Sequence, residues 1–147
     1  MEQTDRRAAL QEHQRAAQLS LKKGVDAVRG GVGPTLAALP QRRAELAMVL
    51  NAYQAFKHDE IFNPAVTSGD PERASLGRAM KVQCIVAGEV FRSSLGHWKE
   101  TDIVGSWANY KIVMRLAAGQ LMRHIDNERE GILRLIDLAG TDRTDKC

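Results

Sequence analysis

The chain is poor in aromatic residues, proline and cysteine, and it has no long apolar run. Aromatic residues make up 5% of 147 positions, and the four prolines all lie where a helix could begin or end. Two cysteines are too few for a disulfide scaffold and favour a reducing, cytoplasmic compartment. The apolar runs are too short for a membrane span, and the polar start of the chain predicts no secretory leader. The remaining composition, rich in alanine and aliphatic residues, favours an all-α protein.

Charged residues are spread along the chain rather than gathered in a block. The formal net charge of +3 comes from 21 basic and 18 acidic residues. Neither a basic recognition helix nor a stacking platform accompanies this mild excess, so we expect no nucleic-acid partner. The chain also lacks a phosphate-binding loop, a paired-cysteine motif and a nucleophile elbow. Because it shows no nucleophile–base pair either, the sequence does not predict an enzyme.

Helical periodicity marks the first half of the chain. Apolar residues recur at i, i+3 and i+4 from Thr4, a predicted N-cap, to about Arg29. After a glycine-rich loop, a second helix begins near Pro34 or Pro40. It is predicted to end by Asn63, because the residue before a proline disfavours helical geometry.

The second half of the chain predicts two further helices. Asp70, followed by a proline, is the predicted N-cap of the third helix, and Gly96 is its predicted C-terminal stop. The fourth helix, capped by Thr101 or the next residue, runs to about Gly140. A straight helix of that length would be longer than the other three, so a bend is expected near Gly105–Ser106.

Four amphipathic helices with short connections predict an up-down-up-down antiparallel four-helix bundle. This single domain spans residues 1–147, with a flexible tail at residues 141–147. With a rise of ~1.5 Å per residue, this topology brings polar or soft side chains from all four helices to one level, roughly 12 Å from one end. The side chains of this predicted layer are His13, Tyr53, Lys57, Met80, Gln83, Cys84, His124 and Glu128.

The sharpest feature of the layer is the pair His124 and Glu128. They lie four residues apart, so they stack on one face of the fourth helix, within its apolar stripe. On the second helix, Tyr53 and Lys57 point inward at the same spacing, whereas His58 lies on the flank. An imidazole and a carboxylate directed into an apolar core predict either metal ligands or a satisfied polar cluster.

Three segments together resemble a hemerythrin-like (HHE cation-binding) domain. They are Phe56–Pro64, the Glu12–His13 pair and His124-x-x-x-Glu128, and in helix order the resemblance covers nearly the whole chain. It implies a four-helix bundle with a di-iron centre, held mostly by histidines and two bridging carboxylates, that binds dioxygen or related small molecules. Matched residue by residue, it implies that His13, His124 and Glu128 are metal ligands.

The second and third helices depart from the family pattern. Counted from the Ile61–Phe62 pair, the family's histidine falls on Tyr53 and its glutamate falls on Lys57. Counted from His58 instead, a phenylalanine stands where the carboxylate belongs. The third helix offers Cys84 but no histidine. With four histidines in the chain, a full histidine-rich di-iron site cannot be assembled.

Three interpretations of the layer remain open. In the first, two histidines and one carboxylate hold a single iron: His13, His124 and Glu128. Additional candidate ligands lie on the second and third helices: Tyr53, His58, Glu60 and Cys84. In the second, the metal is absent, and Lys57 pairs with Glu128 inside the core, where an unpaired charge would be too costly. In the third, these side chains are ordinary boundary residues.

Two functions follow from these interpretations. One is a small cytoplasmic hemerythrin-like protein with a reduced or lost iron site that serves oxygen, nitric oxide or redox response. The other is a metal-free helical interaction or regulatory module with a buried Lys57–Glu128 pair. Either would act as a monomer or homodimer, with a protein partner in the second case.

Overall fold

The computed structural model describes residues 2–145, with side chains described for residues 2–140, and it is all-helical, as predicted. Residues 2–145 contain no β-strand. The helical elements are α1 (Gln3–Arg29), α2 (Val32–Phe56), a π-helical segment (Lys57–Phe62), α3 (Asn63–Val66), α4 (Pro71–Leu95), α5 (Glu100–Gly105) and α6 (Trp107–Asp145).

The connection between α1 and α2 is shorter than predicted. α1 ends at Arg29, as expected, but α2 already begins at Val32. Gly31 makes this possible with a φ of 105°, which favours glycine over any residue with a Cβ. The buried Thr35 hydroxyl donates to the carbonyl of Ala27 at 3.0 Å and fastens the start of α2 to the end of α1.

The prediction that the second helix ends by Asn63 is wrong. The backbone stays helical from α2 through the π-helical segment and into α3, which contains Pro64. Pro64 lies in the first turn of α3, directly after the π-helical segment interrupts the regular i→i−4 bonding. Its missing N–H therefore removes no regular α-helical bond, and the chain passes through it.

The predicted N-cap of α4 is confirmed, because the Asp70 carboxylate accepts the backbone N–H of Arg73 at 3.0 Å. Gly96 follows the last residue of α4, as expected. The predicted break is also confirmed, since Ser106 separates α5 from α6. α6 continues to Asp145 and includes part of the predicted tail.

α1 packs against α2 and α6, and α4 packs against α6. Gln3 donates to the carbonyl of Ile136 at 3.2 Å, while Gln18 donates to that of Met122 at 3.1 Å, so α1 and α6 run antiparallel. The largest fully buried side chains include Leu21, Phe62 and Ile132, which come from α1, the π-helical segment and α6. Among residues 2–145, no helix combines the length and apolar composition that crossing a membrane requires.

Candidate functional site

A lysine and a glutamate meet in the middle of the core. Lys57 begins the π-helical segment, and Glu128 lies midway along α6. The Nζ of Lys57 donates to Oε1 of Glu128 at 2.8 Å, and the two side chains are 4% and 3% exposed. The same Nζ lies 4.0 Å from the ring centroid of Tyr53, within cation–π distance. Each charge is costly to bury alone, so the pairing of Lys57 with Glu128 is what makes their burial tolerable.

A chain of hydrogen bonds extends from this pair across three helices. The Tyr53 hydroxyl donates to Oε1 of Glu128 at 2.6 Å. The same hydroxyl accepts from Nε2 of Gln14 at 2.9 Å, and this amide also donates to the carbonyl of Ile125 at 3.0 Å. Nε of Arg129 donates to Oε1 of Gln14 at 2.6 Å. We call Gln14, Tyr53, Lys57, Glu128 and Arg129 the core network.

Two residues of the core network, Gln14 and the exposed Arg129, lie outside the layer predicted from the sequence, and the buried one of the two is Gln14. It is 1% exposed and lies at the centre of the buried stripe of α1, between Leu10 and Ala17. The spacing from Leu10 through Gln14, Ala17 and Leu21 is four, three and four residues, which is the helical core pattern. That spacing points to Gln14 rather than to His13 as the inward polar residue.

His13 turns toward aromatic rings. Its imidazole stacks on Phe56, with ring centroids 5.0 Å apart, and on Tyr53, with centroids 6.0 Å apart. The side chain is half-buried, and this burial lowers the pKa of His13 below its ordinary value. Stacked in this way, His13 supports the Tyr53 ring.

His124 lies at the edge of the core network, with a side chain that is 20% exposed. Its Nε2 is 3.0 Å from Oε2 of Glu128, which is ion-pair distance. Both atoms are shut off from solvent and lack an aligned hydrogen bond within residues 2–140.

The surroundings shift the pKa values of the two acidic groups in opposite directions. Burial by itself would raise the pKa of Glu128, but the contacts with His124, Lys57 and Tyr53 outweigh it and lower the pKa. Burial, followed by the nearby Glu128 carboxylate, raises the pKa of Tyr53 far above its ordinary range. The core network therefore contains a carboxylate and a neutral phenol at neutral pH.

The additional predicted ligands lie around the core network rather than in it. Sγ of Cys84 donates to Oε1 of Gln54 at 3.2 Å, and the same oxygen lies 3.1 Å from Nε2 of His58. Burial raises the pKa of Cys84, although Lys57 opposes the shift, so this thiol is a weak nucleophile. Glu60 is half-buried and lies 3.8 Å from Arg6. As a metal ligand it would have to face the core, but the π-helical segment turns Phe62 inward and leaves Glu60 at the edge.

The residues of the layer do not fit an iron centre. Within residues 2–140, no three His, Cys, Asp or Glu side chains come together as a ligand group. Oε1 of Glu128 accepts from the ammonium of Lys57, whose charge repels a cation. His13 is stacked on rings, which leaves His124 as the histidine in contact with Glu128.

A small cavity of about 50 Å³ adjoins the core network. Tyr53, Lys57, Cys84 and His124 line it together with apolar residues. The volume suits a water molecule beside polar groups. With a weakly nucleophilic thiol and a carboxylate already bound to an ammonium, this site can hold α1, α2 and α6 together, but it offers no evident catalytic pair.

Comparison of the chain with models of protein families, with curated proteins and with solved structures finds no match. The hemerythrin-like resemblance stays a prediction from the residues that carry it.

Proposed function

We propose that the protein is a metal-free, non-catalytic binding module, built as an up-down-up-down antiparallel four-helix bundle. In this proposal, the Lys57–Glu128 pair occupies the place where hemerythrin-like proteins hold iron. The start of α1 contacts the later part of α6, and the middle of α1 contacts an earlier part, so these two helices are antiparallel as the bundle requires. The observation that carries the proposal is the 2.8 Å contact between Nζ of Lys57 and Oε1 of Glu128, deep in the core.

The position of Lys57 explains how a bundle of this kind remains folded without a metal. The resemblance assigns a metal-binding glutamate to this position, and a lysine there supplies positive charge beside Glu128 instead. A buried ion pair also disfavours sliding of α2 along α6, because any shift would leave two charges uncompensated. In this proposal, the core network keeps the protein rigid, and the surface of the protein binds the partner.

An apolar stripe on α4 supports an interaction role. Four aliphatic side chains spaced along one side of α4 are between 41% and 61% exposed: Val82, Ile85, Val86 and Val90. On α6, Ile112 and Leu116 are similarly exposed, at 56% and 58%. Val90 lines one shallow depression together with Ala117 and Gln120 of α6. Several exposed aliphatic side chains along one helix are typical of interaction sites when they form a patch.

Iron content decides between this proposal and an iron-based role in oxygen, nitric oxide or redox response. The iron-based role draws support from Nε2 of His124 and Oε2 of Glu128, two metal-binding atom types without an aligned hydrogen bond within residues 2–140. We expect no stoichiometric iron in protein purified from iron-supplemented cells, measured by elemental analysis. Stoichiometric iron with a charge-transfer band that is lost in His124→Ala would overturn the proposal.

The stability of Lys57 variants tests the same proposal independently. Lys57→Met should lower the free energy of unfolding by about 3–5 kcal/mol, because it leaves Glu128 buried and uncompensated. The double variant Lys57→Met/Glu128→Leu should recover most of that loss, since an apolar pair can replace a buried ion pair. Lys22→Met, at an exposed position of α1, is the matched control and should stay within about 0.5 kcal/mol of the original protein. A marked gain in stability from Lys57→Met alone would contradict the proposal.

A further inference from the structure

A larger cavity lies between α1, α2, α4 and α6, toward the turn that joins α1 to α2. Its volume is about 360 Å³, which is in the range of small-molecule sites. Most of the wall is apolar and includes Leu21, Leu39, Leu46, Phe91, Leu95 and Met114.

The helix packing accounts for this space. α4 packs closely on α6 and α2 packs closely on α1, whereas α2 and α4 make few direct contacts along their length. The exposed residues Ala47 and Asn51 of α2 and Arg92 of α4 border the cavity, so it opens to solvent between these two helices. A ligand can therefore enter without any helix being displaced.

The charged side chains that line the cavity are all cationic. Arg42, Arg43 and Arg92 contribute to its lining, which contains no acidic side chain. The nearest carboxylate contact to this set is Glu45, which lies 3.6 Å from Nη1 of Arg42 and 3.3 Å from Nζ of Lys23. Because Glu45 already has two cationic partners, the potential at the mouth of the cavity remains positive.

Two of the three guanidinium groups have N–H donors that make no hydrogen bond within residues 2–140. Nε of Arg42 is shut off from solvent and has no hydrogen-bond partner within residues 2–140. The guanidinium of Arg92 lies over Gly88 and makes no hydrogen bond or ion pair with those same described residues. Arg43, by contrast, is already hydrogen-bonded, since its Nη2 donates to the carbonyl of Trp98 at 2.6 Å. A buried donor without an acceptor is costly, and an incoming anion would relieve that cost.

We infer that this cavity binds an amphipathic monoanion, namely an aliphatic carboxylate. Its chain lies among the leucine, phenylalanine and methionine side chains, and its carboxylate lies against Arg42 and Arg92. A guanidinium can donate two parallel hydrogen bonds to a carboxylate, which makes arginine well suited to this head group. With ~30 Å³ for each water-sized group, the cavity holds about a dozen non-hydrogen atoms, the size of decanoate.

This inference goes beyond the proposed function and does not depend on it. Neither Lys57 nor Glu128 lines the cavity, so the site would persist even if the centre of the protein held iron. Failure of one proposal therefore leaves the other in place.

A titration of the full chain, labelled with ¹³C at its methionine methyl groups, tests the inference. Decanoate should shift the methyl signal of Met114, which lines the cavity, in a saturable manner. The methyl signals of Met48, on the exposed side of α2, and of Met80, which packs near Gly131, should not move. Decan-1-ol should bind about tenfold more weakly or worse, because it lacks the charge that the arginines attract.

Arginine variants locate the head group. Arg42→Gln and Arg92→Gln should each weaken decanoate binding by about tenfold, since each removes one charge-assisted contact. Arg78→Gln, an exposed position of α4 outside the cavity, is the matched control and should bind decanoate unchanged. The inference is overturned by an absence of any Met114 shift, by equal binding of decanol and decanoate, or by unchanged affinity in both cavity variants.

Discussion

Tyr53 joins the two halves of the core network, because its hydroxyl donates to Glu128 and accepts from Gln14. Removal of the hydroxyl leaves one of the two N–H groups of the buried Gln14 amide without its acceptor, while the other still donates to Ile125, and it leaves a buried carboxylate with one donor fewer. Tyr53→Phe should therefore lower the free energy of unfolding by about 1–3 kcal/mol, measured by urea denaturation.

The second tyrosine of the chain is a matched control for this substitution. Tyr110 is also buried, at 5% exposure, but its hydroxyl makes no hydrogen bond within the side chains described, residues 2–140. Tyr110→Phe should thus change the free energy of unfolding little. Equal losses for the two variants would mean that the Tyr53 hydroxyl adds nothing beyond its ring.

At the scale of elements, the π-helical segment decides which side chains of the second helical stretch face the core. The π-helical segment contains one residue more than the same length of α-helix would hold. The buried stripe therefore shifts by one position after Lys57. Phe62 is consequently buried together with Ile61, which would face the core in an α-helix as well, while Glu60 moves to the edge beside Arg6. The segment thus brings Lys57 and Phe62, five positions apart, into the same core.

Deletion of one residue tests this account of the π-helical segment. Removal of the exposed Asp59 should convert the segment to α-helix with Lys57 and Phe62 still inward, and the variant should still unfold cooperatively. Removal of the exposed Ala52 from regular α2 should rotate one half of the helix by ~100° against the other and cost far more stability. Thermal unfolding followed by circular dichroism compares the two, and equal losses would contradict this role of the segment.

At the scale of the whole molecule, the buried titratable groups predict how stability depends on pH. The pKa of His13 is lowered, so the folded state favours its neutral form, and stability falls as the pH drops below the ordinary histidine value of 6.5. The pKa of Glu128 is lowered as well. Its contribution is therefore present above the ordinary value of 4.5 and is lost as the pH falls through the lower pKa of the folded state.

The free energy of unfolding, measured in urea from pH 8 to pH 3, should accordingly decline in two steps. The first begins as the pH falls through 6.5, and the second begins as it falls through 4.5. His13→Phe keeps a ring against Phe56 and should reduce the first step, with the remainder due to His58, whose pKa is also lowered by burial. Glu128→Gln removes the carboxylate and should flatten the second, at a lower overall stability. A profile that both variants leave unchanged would show that other groups control the acid sensitivity.

Several helix limits were predictable from the sequence because their causes are local, although α1 and α5 begin earlier than the predicted caps, after Glu2 and Lys99. The cap at Asp70, the stop at Gly96 and the break at Ser106 each follow from a residue and its immediate neighbours. The apolar stripe of α6, with Glu128 inside it, follows equally from helical spacing.

Which polar side chains contact one another depends on how the helices pack. The spacing within α1 indicates that Gln14 rather than His13 faces inward, but the rotation and separation of α1 and α2 determine that its amide reaches the Tyr53 hydroxyl. The π-helical segment and the arginine-bordered cavity likewise arise from how neighbouring helices pack. Local spacing constrains the face of a single helix, but contacts of 3 Å between helices depend on rotation and separation that no single helix specifies.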